Sequence, residues 1–137
     1  TYKLLDVEEK TLNEDYDAKE KHRQSVDLRS LFTSVKDQGK LGTCSVFSIV
    51  SVYEYILKKT KREHDLSERF VYYNVLQDLG TMEDVGASLY GVVKSVTQYG
   101  VCAENYCKYD VDKYNLAPSK DAYEDAGTHK IKVLYSV

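Results

Sequence analysis

Cys44 and Gln38 carry the sharpest chemistry in the sequence, within the run Gln38-Gly39-Lys40-Leu41-Gly42-Thr43-Cys44. A cysteine that opens a buried helix meets the positive end of the helix dipole and several unpaired backbone N–H groups, both of which favour thiolate over thiol. Thiolate is the nucleophilic form. Six residues earlier, the Gln38 side-chain amide can fold back toward the same helix start, and with the Cys44 backbone N–H it would offer two donors to a developing oxyanion. Together these are the minimum equipment for acyl transfer. The competing reading of a cysteine at an apolar helix start is simple packing.

The other chemistry-bearing residues narrow the field. Cys102 and Cys107 could close a short disulfide loop or remain two packed thiols, and with Cys44 they make three, an odd number ill suited to a disulfide-stapled scaffold. No second Cys or His pair stands in register with them, and His22, His64 and His129 are scattered singly, so no metal site is expected. His22 and His64 lie in polar stretches and are expected in solvent. No cofactor is called for. Nineteen basic against 22 acidic residues give a net charge of −3, and the dispersal of Lys and Arg argues against nucleic acid as a partner. The small cluster Lys58-Lys59-Thr60-Lys61-Arg62 reads as cations at a helix end. The longest apolar run, Val46 to Leu57, is interrupted by Ser48, Ser51 and Glu54, so no membrane span is expected.

At 137 residues, with 42% hydrophobic and 30% charged, the chain matches one globular domain with one core. Residues 1–24 are charge-rich with scattered Leu and Val, and read as an arm or pro-segment. From Val26 short extended pieces are expected, Val26 to Arg29 and Phe32 to Val35, then a turn-rich loop that delivers the chain to Cys44. The most apolar helical pattern follows, its Val, Ile, Phe and Tyr residues covering more than one face. A second helix is expected from the Ser67 cap to Gly80, a third from near Ser88 to Gly100, and a short fourth from Ser119 to Gly127. Asp84-Val85-Gly86-Ala87 is the loop between the second and third. Alternation at Ile131, Val133 and Tyr135 gives the terminal residues the period of a strand that needs partners from elsewhere.

The stretch Gln38-Gly39-Lys40-Leu41-Gly42-Thr43-Cys44-Ser45-Val46-Phe47-Ser48 resembles the papain-like cysteine peptidases, which carry Gln, Gly, Gly, Cys, Phe and Ser at the matching positions. Val26-Asp27-Leu28-Arg29 is similar to the family's mature start, Leu66-Ser67-Glu68 to the cap of its second helix, and Gln98-Tyr99-Gly100-Val101 to the end of its third. Gly86-Ala87 stands where the family has a pair of glycines, and the overall form is most like the bacterial and viral branch. The resemblance implies an α+β fold: a helical lobe over residues 25–128 carrying the nucleophile, and at 129–137 the first strand of a barrel-like second lobe. It further implies Cys44 as nucleophile and Gln38 as oxyanion donor. A polypeptide substrate would be aligned by Gly42, Gly86 and Ala87, with Ser88 and Leu89 bordering a pocket.

Departures from the family pattern qualify these implications. Ser45 replaces the tryptophan that follows the nucleophile. Leu41 and Asp84 replace both cysteines of the helical lobe's first disulfide, so packing is expected to hold the lobe, in a reducing compartment. Ala87 in place of the second glycine is tolerable if its φ is negative. The general base, a histidine of the second lobe, has no counterpart here, since His129 falls at a non-catalytic position. The expected function is therefore peptide-bond hydrolysis completed by a C-terminal lobe. The alternative is a catalytically incomplete binding or structural module.

Overall fold

The computed structural model describes residues 25–62 and 64–131. The arm expected at 1–24, with His22, and residues 132–137 of the expected strand lie outside them. Among the described residues four α-helices follow one another, α1 (Cys44–Lys59), α2 (Glu68–Leu79), α3 (Leu89–Tyr99) and α4 (Lys120–Ala126), with 3-10 turns at Arg29–Leu31 and Glu104–Tyr106. Three of the four begin on a serine whose hydroxyl accepts from a backbone N–H of the first turn: Ser67 from Phe70, Ser88 from Gly91 and Ser119 from Ala122. Gly80 closes α2 in the left-handed region and Gly100 ends α3, as the sequence implied.

Two local expectations are corrected. The extended piece at Val26 to Arg29 instead leads into a 3-10 turn, because the Asp27 carboxylate accepts the Arg29 N–H at 3.0 Å and also grips its guanidinium. Residues 129–131 are not strand, since the His129 N–H bonds Ala126 at 3.0 Å in the turn that closes α4. The β pairing seen among the described residues is an isolated antiparallel bridge, Leu66 to Ala103.

Helix α1 sends Val46, Val50, Tyr53 and Leu57 into a core shared with Phe70, Val71, Val75 and Leu76 of α2 and Val92 and Val96 of α3. Its other apolar face stays uncovered, with Val52 50% and Ile56 49% exposed. The loop after α3 is knitted to α2 through Ser67, whose N–H donates to Cys102 at 2.9 Å and whose hydroxyl donates to Cys107 at 2.5 Å. Both cysteines are buried and free. The Cys102 thiol hydrogen-bonds the Cys107 sulfur, which raises the pKa of Cys102 and lowers that of Cys107.

An ion cluster around two buried carboxylates fixes the segment that approaches Cys44. Lys36 Nζ lies 2.7 Å from Glu54 on α1, 2.7 Å from Glu68 on α2 and 2.8 Å from Asp65. Glu54 also accepts from Thr33 Oγ1 at 2.5 Å and from the Leu66 N–H at 2.8 Å. Burial opposes the lysine's charge, but bonds to Asp65, Glu54 and Glu68 outweigh it and raise its pKa. Two fully buried carboxylates share one ammonium. Burial accordingly pushes the Glu68 carboxyl up to about 7, against the pull of Lys36.

A second tie joins the approach to α1 with the loop after α2. The Gly42 N–H donates to Asp84 Oδ1 at 3.0 Å, the Tyr72 hydroxyl donates to the same carboxylate, and the Gly86 N–H donates to Tyr72 Oη at 3.1 Å. Burial raises the Tyr72 phenol and the neighbouring Asp84 carboxylate adds to it, so the phenol remains a donor. The expectation that packing alone replaces the absent disulfide is thus corrected. Leu41 is buried and does pack, but Asp84, at the other lost cysteine position, supplies a polar clamp.

Two outcomes are expected. Because the folded pKa of Glu68 is raised from 4.5 to about 7, the folded state binds the extra proton, and stability falls as pH rises through that window. The loss is on the order of 3 kcal/mol, and urea melts of Glu68→Gln at pH 5 and pH 8 should lack that slope. In the clamp, Asp84→Ala and Tyr72→Phe should each cost about 1–3 kcal/mol, and the double variant should cost less than their sum. Strict additivity would show that the two side chains do not act together.

Candidate active site

Cys44 is the first residue of α1, and its side chain is exposed. The first helical bond runs from the Phe47 N–H to the Thr43 carbonyl at 3.0 Å, and no side chain caps the start. The donors of the first turn therefore remain available beside the sulfur. Thr43, in the N-cap position, instead places its hydroxyl 2.9 Å from the Tyr109 hydroxyl.

Gln38 is brought to the same corner. Its side-chain amide donates to the Leu41 carbonyl at 2.9 Å, curling residues 38–41 into the loop that precedes the helix, and its second N–H remains for another acceptor. The Gln38 carbonyl accepts from Tyr109 Oη at 2.6 Å. Burial raises the Tyr109 phenol, which keeps it protonated and donating.

Of the expected substrate-aligning residues, Gly42 is explained by close approach. A Cβ there would lie 3.0 Å from Gly86 Cα and 3.3 Å from Asp84 Oδ1, so its bare backbone lets the 84–87 loop pass beside the helix start. Gly86 sits at φ +81°, a left-handed conformation suited to glycine. Ala87 is outside that region, because Lys61 is the non-glycine residue found there among those described. The condition set for its methyl group is met.

Part of the Gly86-Ala87 backbone is used within the protein. The Gly86 N–H is held by Tyr72, and the Ala87 carbonyl accepts from Ser45 Oγ at 2.6 Å, keeping one lone pair. Ser45 is thus more than a vacated tryptophan position. Buried at 9% exposure, it ties the first turn of α1 to the loop. Ser88 borders the loop, but its hydroxyl is committed to capping α3 at 3.1 Å from the Gly91 N–H, while Leu89 is 58% exposed.

His64 and His129 do not stand alone as expected. Their rings meet edge to face at 4.8 Å, and His129 Nδ1 lies 3.2 Å from Thr128 Oγ1 and 3.7 Å from Asp125. His64 follows the C-terminal end of α1, whereas Cys44 opens it. Tyr72, Asp84, Tyr109 and Ser45 all lacked a local signal marking them for this site. The nearest to one was the small polar residue directly after Cys44.

No protein-family model matches the chain. An uncharacterised peptidase C1-like protein of Acanthamoeba polyphaga mimivirus is 35% identical over 112 residues, covering 76% of this chain and 36% of that protein. Xylellain, a cysteine protease from Xylella fastidiosa, superposes with a TM-score of 0.67 at 27% identity, over 72% of this chain and 43% of xylellain. Digestive procathepsin L 3 of the Tenebrio molitor larval midgut shares the fold with a TM-score of 0.62 at 22% identity, over 80% of this chain and 35% of its own. The chain spans about a third of the curated relative that it matches. It is a relative of the papain-like cysteine peptidases, and its described residues form the helical lobe of their fold.

Proposed function

We propose that this chain supplies the nucleophile-bearing half of a cysteine peptidase. The observation that carries the reading is an exposed cysteine on the first residue of a helix that packs one face into the core and whose start no side chain caps. In the reaction, the Cys44 thiolate attacks the scissile carbonyl carbon and the C–O π pair moves onto oxygen. The Cys44 N–H and the free amide hydrogen of Gln38 are the groups suited to hold that oxyanion. Collapse expels the amine, which takes a proton from the general acid, and leaves a thioester that water then hydrolyses. An extended polypeptide would run along Gly86 and Ala87, whose remaining backbone groups can pair with it.

The general base and acid come from a C-terminal lobe. Support for that partner lies on α1 itself, where exposed Cys44 and Ser48 continue at i, i+4 spacing into half-exposed Val52 and Ile56. This exposed face of the nucleophile's own helix suits a surface for that lobe to pack on. The alternative, a module that binds without cleaving, loses its argument from Ser45, which is bonded to the Ala87 carbonyl and is not a vacated position.

With the second lobe present, Cys44→Ala should abolish hydrolysis of a fluorogenic peptide amide. Gln38→Ala should lower kcat by about 10²- to 10³-fold, as loss of one oxyanion donor does, with little change in KM. Undiminished cleavage by Cys44→Ala would remove the peptidase reading. Tight peptide binding without turnover in the unsubstituted protein would favour the binding module.

A further inference from the structure

Two serines follow Cys44 on α1 and spend their hydroxyls differently. Ser48 Oγ donates to the Cys44 carbonyl of its own helix at 2.9 Å, the usual local choice. Ser45 Oγ leaves the helix and donates to the Ala87 carbonyl at 2.6 Å, across 42 residues of sequence. Three ties hold the 84–87 loop, and they act on different groups. The Gly42 N–H donates to Asp84, and Tyr72 accepts from the Gly86 N–H, so both act from outside α1. The Ser45 bond is made from the nucleophile's own helix, one residue after Cys44, and it falls on Ala87. Buried at 9% exposure, the Ser45 hydroxyl meets little competition from water. The Ala87 N–H, by contrast, has no partner among the described residues. One residue thus presents a free N–H and a carbonyl held through one lone pair, the two groups through which an antiparallel strand exchanges a pair of bonds with its neighbour. The tryptophan of the family pattern has no hydroxyl to give at this position, so the contact belongs to this chain.

We propose that Ser45 is a positioning residue for the polypeptide: by holding the Ala87 carbonyl it fixes, relative to Cys44, the backbone along which an extended substrate pairs. The proposal rests on the peptidase reading. A carbonyl accepts two bonds, so Ser45 occupies one lone pair and leaves the other for a substrate N–H. Without the tie, the Ala87 peptide group would be ordered only when substrate arrives, and ordering at that moment weakens binding.

The test uses the protein with its second lobe present and two electrophiles that trap Cys44 irreversibly. Acetyl-dialanine chloromethyl ketone carries a peptide backbone; the thiolate sulfur bonds its methylene carbon as the C–Cl bond breaks and chloride leaves with the electron pair. Iodoacetamide traps the same sulfur, with loss of iodide, and brings no peptide to align. Each rate, followed by the mass of the Cys44 peptide, is divided by that of free glutathione with the same reagent. The ratio of the two quotients is the preference for peptide. Ser45→Ala should lower that preference about fivefold, the fold-change of one net hydrogen bond. Ser45→Thr, which keeps the hydroxyl, should retain it. An equal fall in both rates would mark Ser45 as merely structural and overturn the proposal, as would loss of the preference in Ser45→Thr. If the unsubstituted protein shows no preference for peptide, the peptidase reading fails and takes the proposal with it. If it shows one that Ser45→Ala keeps, the proposal alone fails.

Discussion

The geometry around Cys44 depends on one half-buried lysine. Lys36 stands two residues before Gln38 and is clamped between Glu54 on α1 and Glu68 on α2, so the segment entering the site is tied to two of the helices that form the core. An isolated buried carboxylate costs several kcal/mol in desolvation. Here the lysine, Thr33 and the Leu66 N–H repay much of that for Glu54. Burial still leaves Glu68 with a raised affinity for its proton, against the pull of Lys36. The cluster therefore fixes register more than it adds stability, which is the better-attested use of buried charge.

From that anchor the site is assembled by hydrogen bonds across long stretches of chain. Where the family pattern has a disulfide, this chain has Leu41 in the core and Asp84 bonded to Gly42 and Tyr72. A disulfide across residues 41–84 would constrain the unfolded chain by about 4 kcal/mol. Each hydrogen bond of the clamp contributes nearer 1 kcal/mol, and does so in the native state. The clamp yields less stability, but it is insensitive to redox conditions and it reaches further. Through Tyr72 it continues to the Gly86 N–H, orienting the backbone that an extended substrate would meet.

The same economy of contacts shapes both sides of the helix start. Ser45 takes the Ala87 carbonyl and Tyr109 takes the Gln38 carbonyl, so the loops on either side of Cys44 are tied to α1 or its approach by single side-chain hydroxyls. Neither bond uses a backbone N–H from the first turn of the helix. The sulfur stays at the surface, on a helix whose further course leaves Val52 and Ile56 half exposed.

Read alone, the sequence determined the helices, three of their four caps, the glycine that closes α2, and the placement of Cys44 on the first turn of the most apolar helix. These are local signals, settled by residues within one or two turns of each other, where propensity and capping act without regard to the rest of the chain. The turn at Arg29–Leu31 is equally local, and its marker is Asp27. Tertiary structure alone decided that Asp84 would meet Gly42, that Ser45 would meet Ala87, that His64 would pack on His129, and that Tyr109 would reach Gln38, 71 residues away. A hydroxyl or carboxylate has many possible partners, and one is selected only when core packing brings distant backbone within 3 Å. Sequence spacing carries no record of that choice.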